Sequence, residues 1–315
     1  MDDIPKTGLI RLSNWRDFTK IMKLLSNELW LYRGHDNADW RLKSSLERER
    51  EDRQINRPAE VERSGIGLFK AKAKLLGASW DNDIDALIAM QHHGAKTRLV
   101  DFSTSIFVAL FFAFEEMHKV SRSRAIYCIN FNALCASDSL KALFLRTQNG
   151  NYRECVFSVG NRYGGRILLE AAEFRRFIID AANEIIKNGS TENGILPLYT
   201  AATNRRQQAQ AGIQLMPYTF RPFAENLAEA LGIDAVDQIE SPSFEIRDIS
   251  HITAKNLVLP TSVIKLVFAP DMDKDAWSIL DQANINPFSI YQDLIGLAKS
   301  ITRTETRMLK GNDVL

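Results

Sequence analysis

Cysteine is scarce in these 315 residues. Cys128, Cys135 and Cys155 are odd in number and lack metal-ligand spacing. That excludes a disulfide scaffold and points to a reduced, cytoplasmic setting. Net charge is almost absent: 40 Lys and Arg stand against 39 Asp and Glu. No global field therefore draws the chain to nucleic acid or to a membrane, although a local basic patch stays open. Long apolar runs are missing, and the stretch from Ile106 to Phe114 is far too short to cross a bilayer. The opening MDDIPKTG is acidic and polar, unlike a secretory signal. There is no internal repeat, no G-x-G-x-x-G, no Walker-type segment and no H-E-x-x-H. GNRYGG at 160–165 lacks the closing Lys-Ser/Thr and reads as a turn. Cys155 and His118 have no partner at a spacing that would make a thiol–imidazole pair.

What is present concentrates in two places. Gln91 to Glu116 (QHHGAKTRLVDFSTSIFVALFFAFEE) runs from a dense polar cluster into one of the most apolar segments of the chain. The apolar half reads as a buried helix with Ser103 or Thr104 as its N-cap. A polar cluster at the start of a buried helix is costly unless its groups are paired or used. The backbone N–H groups of a helix start can also meet an anion, so phosphate chemistry is a candidate here. Upstream, Leu29 to Leu31 leads as a buried strand into Tyr32-Arg33-Gly34, which places Arg33 at a strand end with Gly34 letting the chain turn.

These stretches resemble the FRG domain family, named for an aromatic–Arg–Gly motif. Tyr32-Arg33-Gly34 matches that motif, and Gln91-His92-His93-Gly94-Ala95-Lys96-Thr97-Arg98-Leu99-Val100-Asp101 matches the family's central block. His93, Lys96 and Phe102 depart from the usual aromatic, Pro and Trp. Asn204 to Gly212, Ile264 to Val267 and Ile290 to Ala298 resemble later segments, so the likeness spans about 10–300 of one domain across 1–315. The weakest internal joint falls at 188–195, where Gly, Ser, Thr and Asn collect.

A weaker resemblance to ADP-ribosyltransferases implies NAD as substrate and a toxin or phage-defence context. Tyr32-Arg33-Gly34 looks like their first-strand Arg-Gly, and Phe102-Ser103-Thr104-Ser105 like their Ser–Thr–Ser strand end. On that likeness Arg33 binds a phosphate and His92 hydrogen-bonds the ligand or acts as acid or base. Arg98 and Asp101 brace the pocket, and Ser103 and Ser105 hold a ribose. Gln210 faces the nicotinamide side or the acceptor, which would be protein or nucleic acid. Tyr32, Gly34, Gln91, Thr104 and Arg206 complete the expected lining. The family usually places a catalytic Glu on a later strand; here Gln207 to Gln214 holds four Gln and no Glu, and an amide cannot supply a carboxylate's charge. Glu245, Glu170 and Glu173 are the stand-ins the sequence offers.

Two other readings stay open. Arg33, Lys96, Arg98, Arg205 and Arg206, with Tyr32, Trp40 and Phe102, suit a nucleotide- or RNA-binding module without catalysis. His35, Asp36, Asp39, His92, His93 and Asp101 include ligands for a metal-dependent hydrolase, but adjacent His92 and His93 diverge on a helix, so no metal is expected. Arg98 and Asp101 equally suit a mutual buried salt bridge.

The fold expected is α/β of the α+β type: a small mixed sheet with helices packed around it, with an ADP-ribosyltransferase-like core as one form it could take. Asn14 to Leu25, Leu68 to Leu76, Asp83 to Gln91, Leu168 to Lys187 and Asp273 to Ala283 read as helices. Arg124 to Phe131 and Val263 to Phe268 read as strands. The mixed-charge run at 47–63 reads as a solvated helix face or loop.

Overall fold

The computed structural model describes residues 5–116, 121–147, 172–198, 205–247 and 259–311. His118, Cys155, the glycine-rich 160–165, Glu170 and Asn204 lie outside them. Among the described residues eight strands form one mixed sheet. They are β1 (Thr7–Leu12), β2 (Trp30–His35), β3 (Val100–Ser103), β4 (Arg124–Asn130), β5 (Ile195–Leu198), β6 (Gly212–Pro217), β7 (Glu245–Ile246) and β8 (Val263–Phe268). Their order is β5-β6-β3-β2-β4-β8-β1-β7. Neighbours are antiparallel from β5 through to β8, and β1 runs parallel to both β8 and β7.

Successive strand side chains point to opposite faces, and here both faces are covered. Leu31, Tyr127, Ile129, Phe102 and Leu215 face one core. It is closed by α3 (Pro58–Ala73), α4 (Asp83–His92) and the helices Ala172–Asn188 and Phe223–Leu231. Trp30, Tyr32, Ile126, Cys128 and Leu266 face the other. That side is closed by α1 (Trp15–Leu25), α5 (Ile106–Phe114) and the helix Asp273–Gln282. The mixed sheet with helices around it is therefore as expected, a three-layer arrangement built on eight strands.

Local chemistry explains the elements that frame the site. Asn14 caps α1 by accepting from the Asp17 N–H at 2.9 Å, and Phe18, Ile21 and Leu25 give it one apolar face. The charged run at 47–63 falls mostly in α2 (Ser45–Arg53), which Ser44 caps, and in the start of α3, where Pro58 sits in the first turn. One member of that run, Glu62, is fully buried rather than solvated. The helix Ala172–Asn188 ends at Gly189, whose φ of +77° stops it as expected.

Gly34 does not turn the chain. β2 continues through it to His35, and the glycine is needed because α5 lies directly on it. A Cβ there would stand 1.9 Å from the Ala109 carbonyl oxygen. No helix among the described residues is long and apolar enough to cross a membrane.

Candidate functional site

The sheet splits between β2 and β3. The two strands pair at one position, Tyr32 opposite Ser103. From there β2 runs on along β4, and β3 runs along β6. Arg33 spans the gap: its Nη1 donates to the Asp101 carbonyl oxygen at 2.7 Å. Its Nε donates to His35 Nε2 at 3.2 Å. A cleft of about 940 Å³ opens at this split, lined from both strands, from α5 and from the loop and helix that follow β2.

The Arg33 bond fixes the protonation of His35. An Arg N–H can only donate, so Nε2 carries the lone pair and Nδ1 carries the proton. Nδ1 lies 3.3 Å from the Trp40 carbonyl oxygen, which accepts it. Burial and the neighbouring Arg33 charge push the His35 pKa down to about 3, so the ring is neutral at ordinary pH. Burial also lowers the pKa of Arg33 itself; Asp101 opposes that effect and Arg48 adds to it.

Tyr32, Arg33, Gly34, Asp101, Ser103, Arg206 and Gln210 all line the cleft. The Ser103 hydroxyl donates to the Gln210 carbonyl oxygen at 2.7 Å and accepts from the Ser105 N–H at 2.9 Å. That leaves one lone pair to accept from a ligand. Gln210 follows the short helix Arg205–Ala209, and its Nε2 donates to the Ile290 carbonyl oxygen at 3.5 Å. Arg206 lies over the Tyr291 ring at 4.7 Å.

Other expected residues lie elsewhere. Gln91 lines a smaller pocket of about 210 Å³ that shares Arg33, Lys43, Arg48 and Asp101 with the cleft. Arg98 is buried away from both and does not pair with Asp101. Its guanidinium meets Glu62 Oε1 at 2.5 Å and sits 3.9 Å over the Phe220 ring. The Asp101 carboxylate accepts from Gln214 Nε2 at 3.3 Å instead. The expected Arg98–Asp101 bridge is thus replaced by one to a residue on α3.

His92 ends α4, half-buried and edge-on to His93, outside the cleft lining. Burial first, then His93 and Arg206, lower its pKa. The N-cap of α5 is Ser105, not Ser103 or Thr104, and its side chain makes no capping bond. The Thr104 N–H donates to the Ala211 carbonyl oxygen at 3.0 Å.

Sequence reading missed Lys43, Arg48, Glu51, Asp52, Phe112 and Glu116, all of which line the cleft. Helical spacing held the signal. Arg48, Glu51 and Asp52 share one face of α2, and Val108, Phe112 and Glu116 recur at every fourth position. Two of the metal ligands considered are otherwise engaged. His35 accepts from Arg33, and Asp36 pairs with Arg122 and Arg124. Among the described residues no three His, Cys, Asp or Glu are grouped to hold a metal ion.

Glu245 is no stand-in for a catalytic glutamate. It lies on β7, five strands from β3, roughly 24 Å at normal strand spacing. There it pairs with Arg11 and Arg247. Glu173 belongs to the helix Ala172–Asn188, in the layer behind the other core.

No curated protein and no solved structure matches the chain. The FRG domain family model matches residues 28–122, a shorter span than the resemblance read along the sequence. Every residue lining the cleft except Arg206 and Gln210 falls inside that match. Residues 28–122, which supply β2, β3, α5 and most of the cleft wall, are thus the part of the chain that is similar to the FRG domain.

Proposed function

We propose that the split cleft binds NAD and that the protein is an ADP-ribosyltransferase-like enzyme. The observation that carries this reading is Arg33, partly buried at the split with Nη2 left over after its two bonds. A guanidinium so fixed would grip the pyrophosphate in a fork. Tyr32, Trp40 and Phe112 offer aromatic surface for the two ring systems, and Ser103 would accept from a ribose hydroxyl. The volume of about 940 Å³ suits a dinucleotide.

In the transfer, the bond between ribose C1′ and nicotinamide breaks, and the electron pair leaves with nicotinamide. Positive charge develops on the ribose. The acceptor's nucleophile then bonds to C1′ and gives up its proton. Asp101 is the carboxylate assigned to stabilise the charge, because it lines the cleft beside Arg33 and Ser103 at the split. The acceptor would be a protein or a nucleic acid.

Calorimetric titration with NAD, ADP-ribose and nicotinamide tests the reading. Saturable binding of NAD and ADP-ribose is expected, weakened at least about tenfold in a folded Arg33→Ala variant. No binding of any of the three would remove the reading. A second reading, nucleotide binding without transfer, is favoured by the Gln residues at 207–214 where the family resemblance expects Glu. Nicotinamide release separates the two: transfer or hydrolysis requires it and requires Asp101, so Asp101→Asn should bind NAD but release none.

A further inference from the structure

The pocket beside the cleft differs from it in charge. The main cleft has five Lys or Arg against six Asp or Glu. The side pocket has Arg33, Arg48 and Lys96 against the single carboxylate of Asp101, with Lys43 already paired to Glu51. Burial lowers the pKa of Arg33, Asp101 opposes that, and Arg48 adds to it, so the two guanidiniums lie close enough to feel each other.

Its donors outnumber its acceptors as well. Gln91 accepts from the Thr97 hydroxyl through Oε1, which leaves the Nε2 donor over. Arg48 commits Nη1 to the Lys43 carbonyl oxygen at 2.9 Å and keeps its other N–H groups. Lys96 is exposed and pairs with no acid among the described residues. Gly94, with φ +90° after the last turn of α4, lets the wall bend here.

Size decides what fits. About 210 Å³ gives room for a phosphate and its bridging waters. A phosphomonoester carries about −1.5 to −2 near neutral pH, more than a linkage phosphate does, and answers the excess of cations.

We propose that this side pocket is a phosphomonoester subsite, in which Lys96, Arg48 and Gln91 hold a terminal phosphate of the ligand whose remainder fills the main cleft. The proposal rests on the nucleotide reading of that cleft and makes nucleotides carrying a separate terminal phosphate, such as NADP, its preferred ligands over NAD.

The test uses ligand pairs that differ by one phosphomonoester: NAD with NADP, and AMP with adenosine 2′,5′-bisphosphate. Each is titrated calorimetrically at one fixed salt concentration against the full chain and against Lys96→Gln and Arg48→Gln. The phosphorylated member of each pair is expected to bind at least about tenfold tighter, and both variants to bring the ratio close to one. Lys96 is exposed, so its variant should melt with the parent. Equal affinities within both pairs, or a ratio unchanged in Lys96→Gln, overturns the subsite. NAD binding with no preference sinks the subsite and leaves the NAD reading standing. Binding of the phosphorylated members alone supports the subsite and removes NAD as the ligand. Binding of none overturns both.

Discussion

Gly34 and Ala109 meet backbone to backbone where α5 crosses β2. A Cβ built on Gly34 would stand 1.9 Å from the Ala109 carbonyl oxygen and 2.7 Å from the Ala113 nitrogen. Neither atom belongs to a flexible side chain, so the helix would have to move as a unit. Gly34→Ala is expected to destabilise the protein by about 3 kcal/mol or more, read as a lower urea midpoint. An unchanged midpoint would mean that the helix yields freely.

Arg98 and Glu62 form the buried ion pair of the other layer, with 4% and 1% of their side-chain surface exposed. Removing one partner strands the other. Glu62→Ala should lose about 3–5 kcal/mol, whereas the double change Glu62→Leu with Arg98→Met should recover most of it. Chemical denaturation of the three proteins measures both. If the double variant is as weak as the single, the guanidinium's contacts with Phe220 and the Pro217 and Tyr218 carbonyls matter more than the pair itself.

His35 has a folded pKa of about 3 against an ordinary 6.5. As pH falls, the unfolded chain takes up this proton first. The stability that neutral His35 contributes is therefore complete above pH 6.5 and is lost between pH 6.5 and 3. The loss is on the order of 5 kcal/mol over that window. Comparing the pH dependence of unfolding for the parent and His35→Gln isolates it from the carboxylates. In a proton NMR titration, the His35 ring signals should not move between about pH 8 and 5. A titration midpoint near the ordinary histidine value would refute the neutral, Arg33-bonded tautomer.

Arg33→Lys keeps the charge and loses the fork. Lys cannot serve His35, Asp101 and a ligand in one plane, so it should bind NAD about tenfold more weakly than the parent. Undiminished affinity would show that the cleft uses Arg33 as a point charge only.

Some of this was legible in the chain and some was not, for physical reasons. The strands at 124–130 and 263–268 are apolar nearly throughout and declare themselves. α1 does so through Asn14 and its period. The helix at 45–53 read as a solvated helix face or loop because its charges show no apolar side, yet three of them turn toward the cleft. Arg33 and Arg98 look alike in sequence, each polar amid apolar neighbours. What separates them is Glu62, 36 residues before Arg98, which only tertiary packing brings there. Asp101 and Ser103 share the cleft with Gln210 because β3 pairs with β6, a pairing no local pattern announces.

The single Tyr32–Ser103 pair joins three strands on one side to five on the other. Arg33 fastens the same joint from the side, through the Asp101 carbonyl. The seam of the sheet and the grip on a ligand thus draw on one guanidinium. A ligand that takes up Nη2 would therefore hold the same guanidinium that bridges the two halves of the sheet.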